Sequence, residues 1–172
     1  HFGQQYLSEV PAADFWGDLR GVRASAGDRA VLRAAHFFDD NARVPLQAAA
    51  LAEGRFADFL ELVSASGVSS AMQLQNLFST SQPQQQAVGV SLALAAHLLG
   101  GRGAVRVHGG GFAGTIQAYV PTEMAEEFRA GMNRVGWALR SLVFMLFLVL
   151  SVVPWASAIV LAAPFASPAA LY

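Results

Sequence analysis

The chain has 172 residues, enough for one ordinary domain with a real core. Its net charge of −1 supplies no basic field for nucleic acid. With no cysteine it holds no disulfide, thiolate zinc site or cysteine nucleophile, and that absence fits a reducing cytoplasm. Hydrophobic residues make up 54% and charged residues 13%, but the excess is uneven. Every acidic residue lies at or before Glu127, and Arg140 is the last basic one. Residues 1–134 therefore read as an ordinary soluble domain and residues 135–172 as an apolar tail. All 11 basic residues are arginine. The chain opens at His1 with neither an initiator Met nor a signal pattern, and it reads as a fragment.

In chain order, residues 2–7 read as the end of an earlier strand or loop. Val10 to Leu19 reads as a short helix with Phe15, Trp16 and Leu19 on one side. Asp28, after Gly27, is a suitable N-cap, and Val31, Leu32, Ala35, Phe38 and Ala42 recur at helical spacing. Asp39 and Arg43, four apart, are placed to pair on that helix. Pro45 lacks a donor and crowds the carbonyl of Asn41, so a kink or a break into two helices is expected there. A further helical run covers residues 46–52 and ends at Gly54. Another, residues 56–64, ends near Gly67 and offers Phe56, Phe59, Leu60 and Val63 to the core.

Ser81 and Gln84 have the form of a capping box, which predicts a helix start there, continued by the apolar run Val88 to Leu99 and stopped by Gly100 and Gly101. Val105 and Val107 then alternate with Arg106, and Thr115, Ile116, Ala118 and Val120 supply a second set of β-formers. Between them sit Gly109, Gly110, Gly111 and Gly114. Such a cluster is either a plain hairpin turn or a loop whose backbone N–H groups cradle an anion. A β-branched side chain at Gly110 is expected to fill needed space and to resist positive φ. From Pro121 a helix with acids in its first turns follows. Helices followed by strand, strand and helix make the fold class α+β, with a small antiparallel sheet.

Gly109, Gly111 and Gly114 fit G-x-G-x-x-G by letter, but a dinucleotide site needs a helix to follow, and Thr115 to Val120 is strand-like. A P-loop needs a lysine, and the chain has none. The four histidines lack metal-ligand spacing. His97 reads as a helix cap or a satisfied core residue, and His108 as a neighbour of the site. Ser66, Ser69 and Ser70 show no base partner in the sequence and read as capping residues.

Val107 to Thr115, Val-His-Gly-Gly-Gly-Phe-Ala-Gly-Thr, resembles the third signature motif of the GHMP sugar kinases, in the form carried by bacterial galactokinases. Three upstream blocks resemble the same family in order and spacing: Asp28 to Val44, containing Arg33, His36 and Asp40; Phe59 to Ser70; and Leu74 to Phe78. The resemblance covers roughly residues 1–134. It implies the C-terminal portion of a galactokinase, an enzyme that uses ATP and Mg2+ to phosphorylate the anomeric hydroxyl of galactose in the cytoplasm. It also implies a GHMP C-terminal domain, incomplete at its own C-terminus. The family's catalytic Asp, sugar-binding residues and main phosphate loop lie upstream of this motif. His108, Gly109, Gly110, Gly111, Phe112 and Gly114 would then form one wall of the ATP and substrate site, with no catalytic residue and no metal ligand in this chain. The alternatives are a non-catalytic sugar sensor that binds a protein partner and a small membrane-anchored protein.

The anchor reading comes from the tail. Leu142 to Ala163 is 22 residues without a charge, interrupted by Ser151, Pro154 and Ser157. As a helix it would span about 33 Å, enough for a bilayer core. Arg129, Arg134 and Arg140 precede it, which places residues 1–134 in the cytoplasm by the positive-inside rule. The family would continue into a final strand at this point, so a change of reading frame is favoured over a native anchor. Membrane is a partner only if residues 142–163 are genuine.

Overall fold

The computed structural model describes residues 1–111 and 114–133. The expectations for Phe112 and for the tail 135–172, including the span 142–163, fall outside the described residues. The chain divides into two compact units, residues 1–129 and 130–172. Among the described residues no helix is long and apolar enough to cross a membrane.

A 3-10 turn at Leu7–Glu9 leads into α1 (Ala12–Gly17) and α2 (Leu19–Ala26), then α3 (Asp28–Ala52) and α4 (Phe56–Ser69). A π-turn at Ser70–Leu74 continues α4, and α5 (Ala87–Leu99) follows. The strands β1 (Ala104–His108) and β2 (Thr115–Tyr119) come next, then a 3-10 turn at Thr122–Met124 and α6 (Ala125–Asn133). The two strands form a single antiparallel pair, from Ala104 opposite Tyr119 to His108 opposite Thr115. The expected α+β class, with a small antiparallel sheet, is what forms.

Several helix boundaries differ from expectation. The single helix expected over residues 10–19 is two short ones, α1 and α2, because Asp18 leaves helical geometry and caps α2 by accepting the Gly21 N–H at 3.0 Å. Phe15 is fully buried, while Trp16 stays 44% exposed. Asp28 is the first residue of α3 rather than its cap, which is Gly27 at φ 82°; its carboxylate pairs instead with Arg23. Pro45 does not divide α3, which runs unbroken for 25 residues. Pro45 and Asn41 are both exposed, so the carbonyl that loses its helical donor can turn to water. Gly67 does not end α4 either. A Cβ there would stand 3.2 Å from the Arg106 Cβ and 3.3 Å from the Val105 carbonyl oxygen, so the bare Cα lets α4 lie close against β1. No helix starts at Ser81. Gln86 instead bonds through Nε2 to the carbonyls of Ser79, Gln82 and Pro83, holding that segment as a coil until α5 begins.

Two apolar clusters hold the fold. The first joins Val10, Phe15, Val22, Ala34 and Ala35, with Phe2, Leu7, Leu19, Val31 and Phe38 partly buried around it. The Phe15 and Phe38 rings lie 4.9 Å apart. The second joins Ala50, Phe59, Val63 and Ala104, with Leu60 and Tyr119 against it, so that α3, α4 and the hairpin share one core. Tyr119 meets Phe59 edge to face at 5.1 Å, a pairing that adds to simple area burial. Phe56, expected in this core, is 54% exposed and reaches it only by stacking on Phe59.

The glycines of this region separate by the space around them. A Cβ on Gly103 would lie 2.2 Å from the Tyr119 carbonyl oxygen and 2.9 Å from Leu99 Cδ2. Gly103→Ala is therefore expected to lower the unfolding free energy by about 2 kcal/mol through forced displacement of β2. On α5, a Cβ at Gly89 meets nothing within 4 Å, and Gly89→Ala is expected to raise stability by up to about 1 kcal/mol. Urea titrations of the two variants check both signs.

Candidate functional site

The glycine loop closes the hairpin between His108 and Thr115. Thr115 Oγ1 donates to the His108 carbonyl at 3.1 Å across its mouth. Gly109, Gly111 and Gly114 hold φ of 69°, 74° and 98°, the left-handed region that side chains resist. Gly110 is not among the positive-φ residues, and a Cβ on it meets nothing within 4 Å. The expectation that Gly110 is the constrained position is thus corrected. The constraint falls on Gly111, where a Cβ would lie 2.3 Å from the Asn76 carbonyl oxygen and 2.7 Å from its Cβ and Cγ. Gly114 faces the first turn of α5, its Cβ direction meeting Val88 Cγ2 at 3.8 Å. His108, the last residue of β1, is exposed beside the loop.

Between α3, α4 and the π-turn lies a polar network that the sequence did not announce. Ser69 Oγ is 2.8 Å from His36 Nδ1 and donates to Gln73 Oε1 at 2.5 Å. Gln73 Nε2 donates to Asp39 Oδ2 at 3.1 Å. Asp40 accepts from Ser66 Oγ at 3.0 Å and from Arg43 Nη1 at 2.8 Å. The expected pairing of Asp39 with Arg43 does not form: Arg43 takes Asp40, three residues back, and leaves Asp39 to Gln73. Of the three serines read as caps, Ser70 stands at the C-cap of α4, while neither Ser66 nor Ser69 makes a side-chain cap hydrogen bond. They lie within α4 and are almost fully buried, at 2% and 5% exposure.

Ser69, His36 and Asp40 stand in the order of a hydrolase triad, since His36 Nε2 is 3.4 Å from Asp40 Oδ2. Hydrogen-bond direction argues against that use. Asp39 can only accept while ionised, so the Gln73 amide must present its NH2 to Asp39 and its oxygen to Ser69. The one hydroxyl proton of Ser69 is committed to Gln73, which leaves His36 Nδ1 as the donor to Ser69. Nδ1 then carries a proton, and the serine has no base to give a proton to. Ser69 is a structural link between α3 and α4. His36 is pushed below its ordinary value near 6.5, first by burial; Asp40 opposes this, Arg43 and Arg106 reinforce it, and Asp39 opposes it more weakly.

His97 is exposed in the last turn of α5 and so is not a core residue. Among the described residues no group of three or more His, Asp or Glu side chains could hold a metal ion. A hollow of about 540 Å³ lies against α3, lined by residues including Phe2, Leu7, Phe15 and Arg33. It shares no residue with the glycine loop. The chain thus offers one preformed loop held against Asn76, and a separate polar network that joins α3 to α4.

The network makes a pH prediction. Because folding lowers the pKa of His36, the unfolded chain holds more protons between the folded value and about 6.5. Stability is then complete above pH 6.5 and is lost as pH falls through that window. His36→Gln is expected to flatten the dependence of the unfolding free energy between pH 7 and pH 5.5, measured by denaturant titration at successive pH values.

In comparisons with known proteins, no family model matches this chain, and neither does any curated protein or any solved structure.

Proposed function

We propose that this chain is the C-terminal portion of a galactokinase, and that its glycine loop is one wall of the site where ATP phosphorylates galactose. One observation carries the reading. The sequence blocks that resemble the family lie in three separate stretches of the chain, residues 28–44, 59–78 and 107–115, yet they form one continuous run of contacts. His36 and Asp40 bond Ser69 and Ser66, Ser69 bonds Gln73, the π-turn delivers Asn76, and Asn76 meets Gly110 and Gly111. A plain hairpin turn needs none of this support.

Phosphoryl transfer is mainly positioning and stabilisation of spread negative charge. The residues of this chain supply positioning. Positive-φ glycines let the loop backbone turn without side chains, so a phosphate-binding loop from the upstream half can pack directly against it. ATP and Mg2+ come with the reading, but the described residues do not fit them as holders. The loop carries no basic side chain, and among the described residues no carboxylate cluster could hold a metal ion, so on this reading their ligands belong to the upstream half.

The decisive experiment is to read the coding sequence upstream of His1 and express the complete frame. A galactose-phosphorylating enzyme is expected. A frame lacking an acid, a phosphate loop and sugar-binding residues upstream would overturn the reading. In the complete enzyme Gly111→Ala should cut turnover by about a hundredfold, because moving the wall by about 1 Å misaligns the reacting groups. Gln85→Ala, on the exposed coil before α5, should be nearly neutral. Residues 1–172 alone should phosphorylate no galactose; a coupled assay for ADP release reads all three.

A further inference from the structure

We propose that Asn76 is the positioning residue of the glycine loop, setting the place of Gly110 and Gly111 from a buried amide. The residue is 3% exposed. Nδ2 donates to the Gly110 carbonyl at 3.4 Å. The backbone oxygen of Asn76 occupies the space a Cβ on Gly111 would need, so main chain lies directly against main chain. One residue thus touches the loop from two sides of its own structure.

The chain is bent to bring Asn76 there. α4 does not stop at Ser69 but widens into the π-turn, and Gln75 closes it by donating its N–H to the Ser70 carbonyl at 2.8 Å. Gln75 takes φ 55°, the sole positive value at a non-glycine among the described residues. π-turns and left-handed side-chain residues are uncommon and concentrate where geometry serves a site. Both stand immediately before Asn76.

The chemistry of the side chain makes the same point. Asn76 Oδ1 is buried with no hydrogen-bond partner among the described residues. An apolar residue of similar shape would avoid that desolvation altogether. If Asn76 only filled space, leucine would serve better. What asparagine has and leucine lacks is the Nδ2 donor to Gly110.

This yields a test that separates positioning from packing. Asn76→Leu is prepared in the 172-residue chain, and backbone order is measured by 15N relaxation. Gly110 and Gly111 are expected to fall from the rigid range near about 0.85 to below about 0.6. Order in α4 and α5, and the denaturation midpoint, are expected to stay as in the parent chain, because the lost bond is offset by the removed buried oxygen. If Asn76→Leu does not fold, Asn76→Ala, which leaves space instead of filling it, decides the matter by the same readout. Unchanged order at Gly110 and Gly111 overturns the proposal. So does a loss of order spread equally over loop and helices, which would make Asn76 a packing residue only. The measurement uses no substrate, so the proposal stands or falls independently of the kinase reading.

Discussion

The fold depends on how closely α4 can approach both of its neighbours. Its small residues make this possible: Ser66 and Ser69 meet Asp40 and His36 of α3, while Gly67 meets Arg106 of β1. A larger side chain at any of these positions would push apart helices or strand that share the Phe59 and Val63 core. Close approach also buries the hydroxyls of Ser66 and Ser69, and buried hydroxyls need partners. The network of Asp39, Gln73, Ser69 and His36, with Asp40, Ser66 and Arg43 beside it, meets that demand.

A network of this kind is costly if incomplete. Two aspartates, an imidazole and an arginine gather in a partly buried space, where an unpaired charge costs more than a paired one returns. Here each carboxylate has its donors, and Asp40 is paired with Arg43. The direction of the hydrogen bonds puts a proton on His36 Nδ1, and burial lowers the pKa of the ring. Only the first of these bears on Ser69: with Nδ1 as donor the hydroxyl has no base, which assigns the serine to structure rather than catalysis.

From α4 the same constraint reaches the loop. The π-turn lengthens the helix path by one residue, Gln75 reverses it, and Asn76 lands against Gly111. The loop is therefore placed by a segment 34 residues earlier in the chain. Its own strands bring only its two ends together, through the His108 and Thr115 pair.

Much of this was legible from residue types alone. The strands on either side of the glycines, α5 stopped at Gly100, and the α+β class all follow from periodicity and from glycine's freedom at positive φ, which are local properties. Helix interruptions were not legible, because they depend on what surrounds the backbone. Pro45 leaves α3 intact where its orphaned carbonyl can meet water, Gly67 serves a neighbouring strand rather than a helix end, and the letters of a capping box at Ser81 are overruled by Gln86. The polar network was hidden for the same reason. His36 and Ser69 are 33 positions apart, and no spacing rule joins them. Residue types alone fix where the chain can turn and which stretches can be helix or strand, because those are short-range properties of the backbone. Only the tertiary structure decided that Gly111, and not Gly110, is the position with no room, because that depends on where the Asn76 backbone comes to rest.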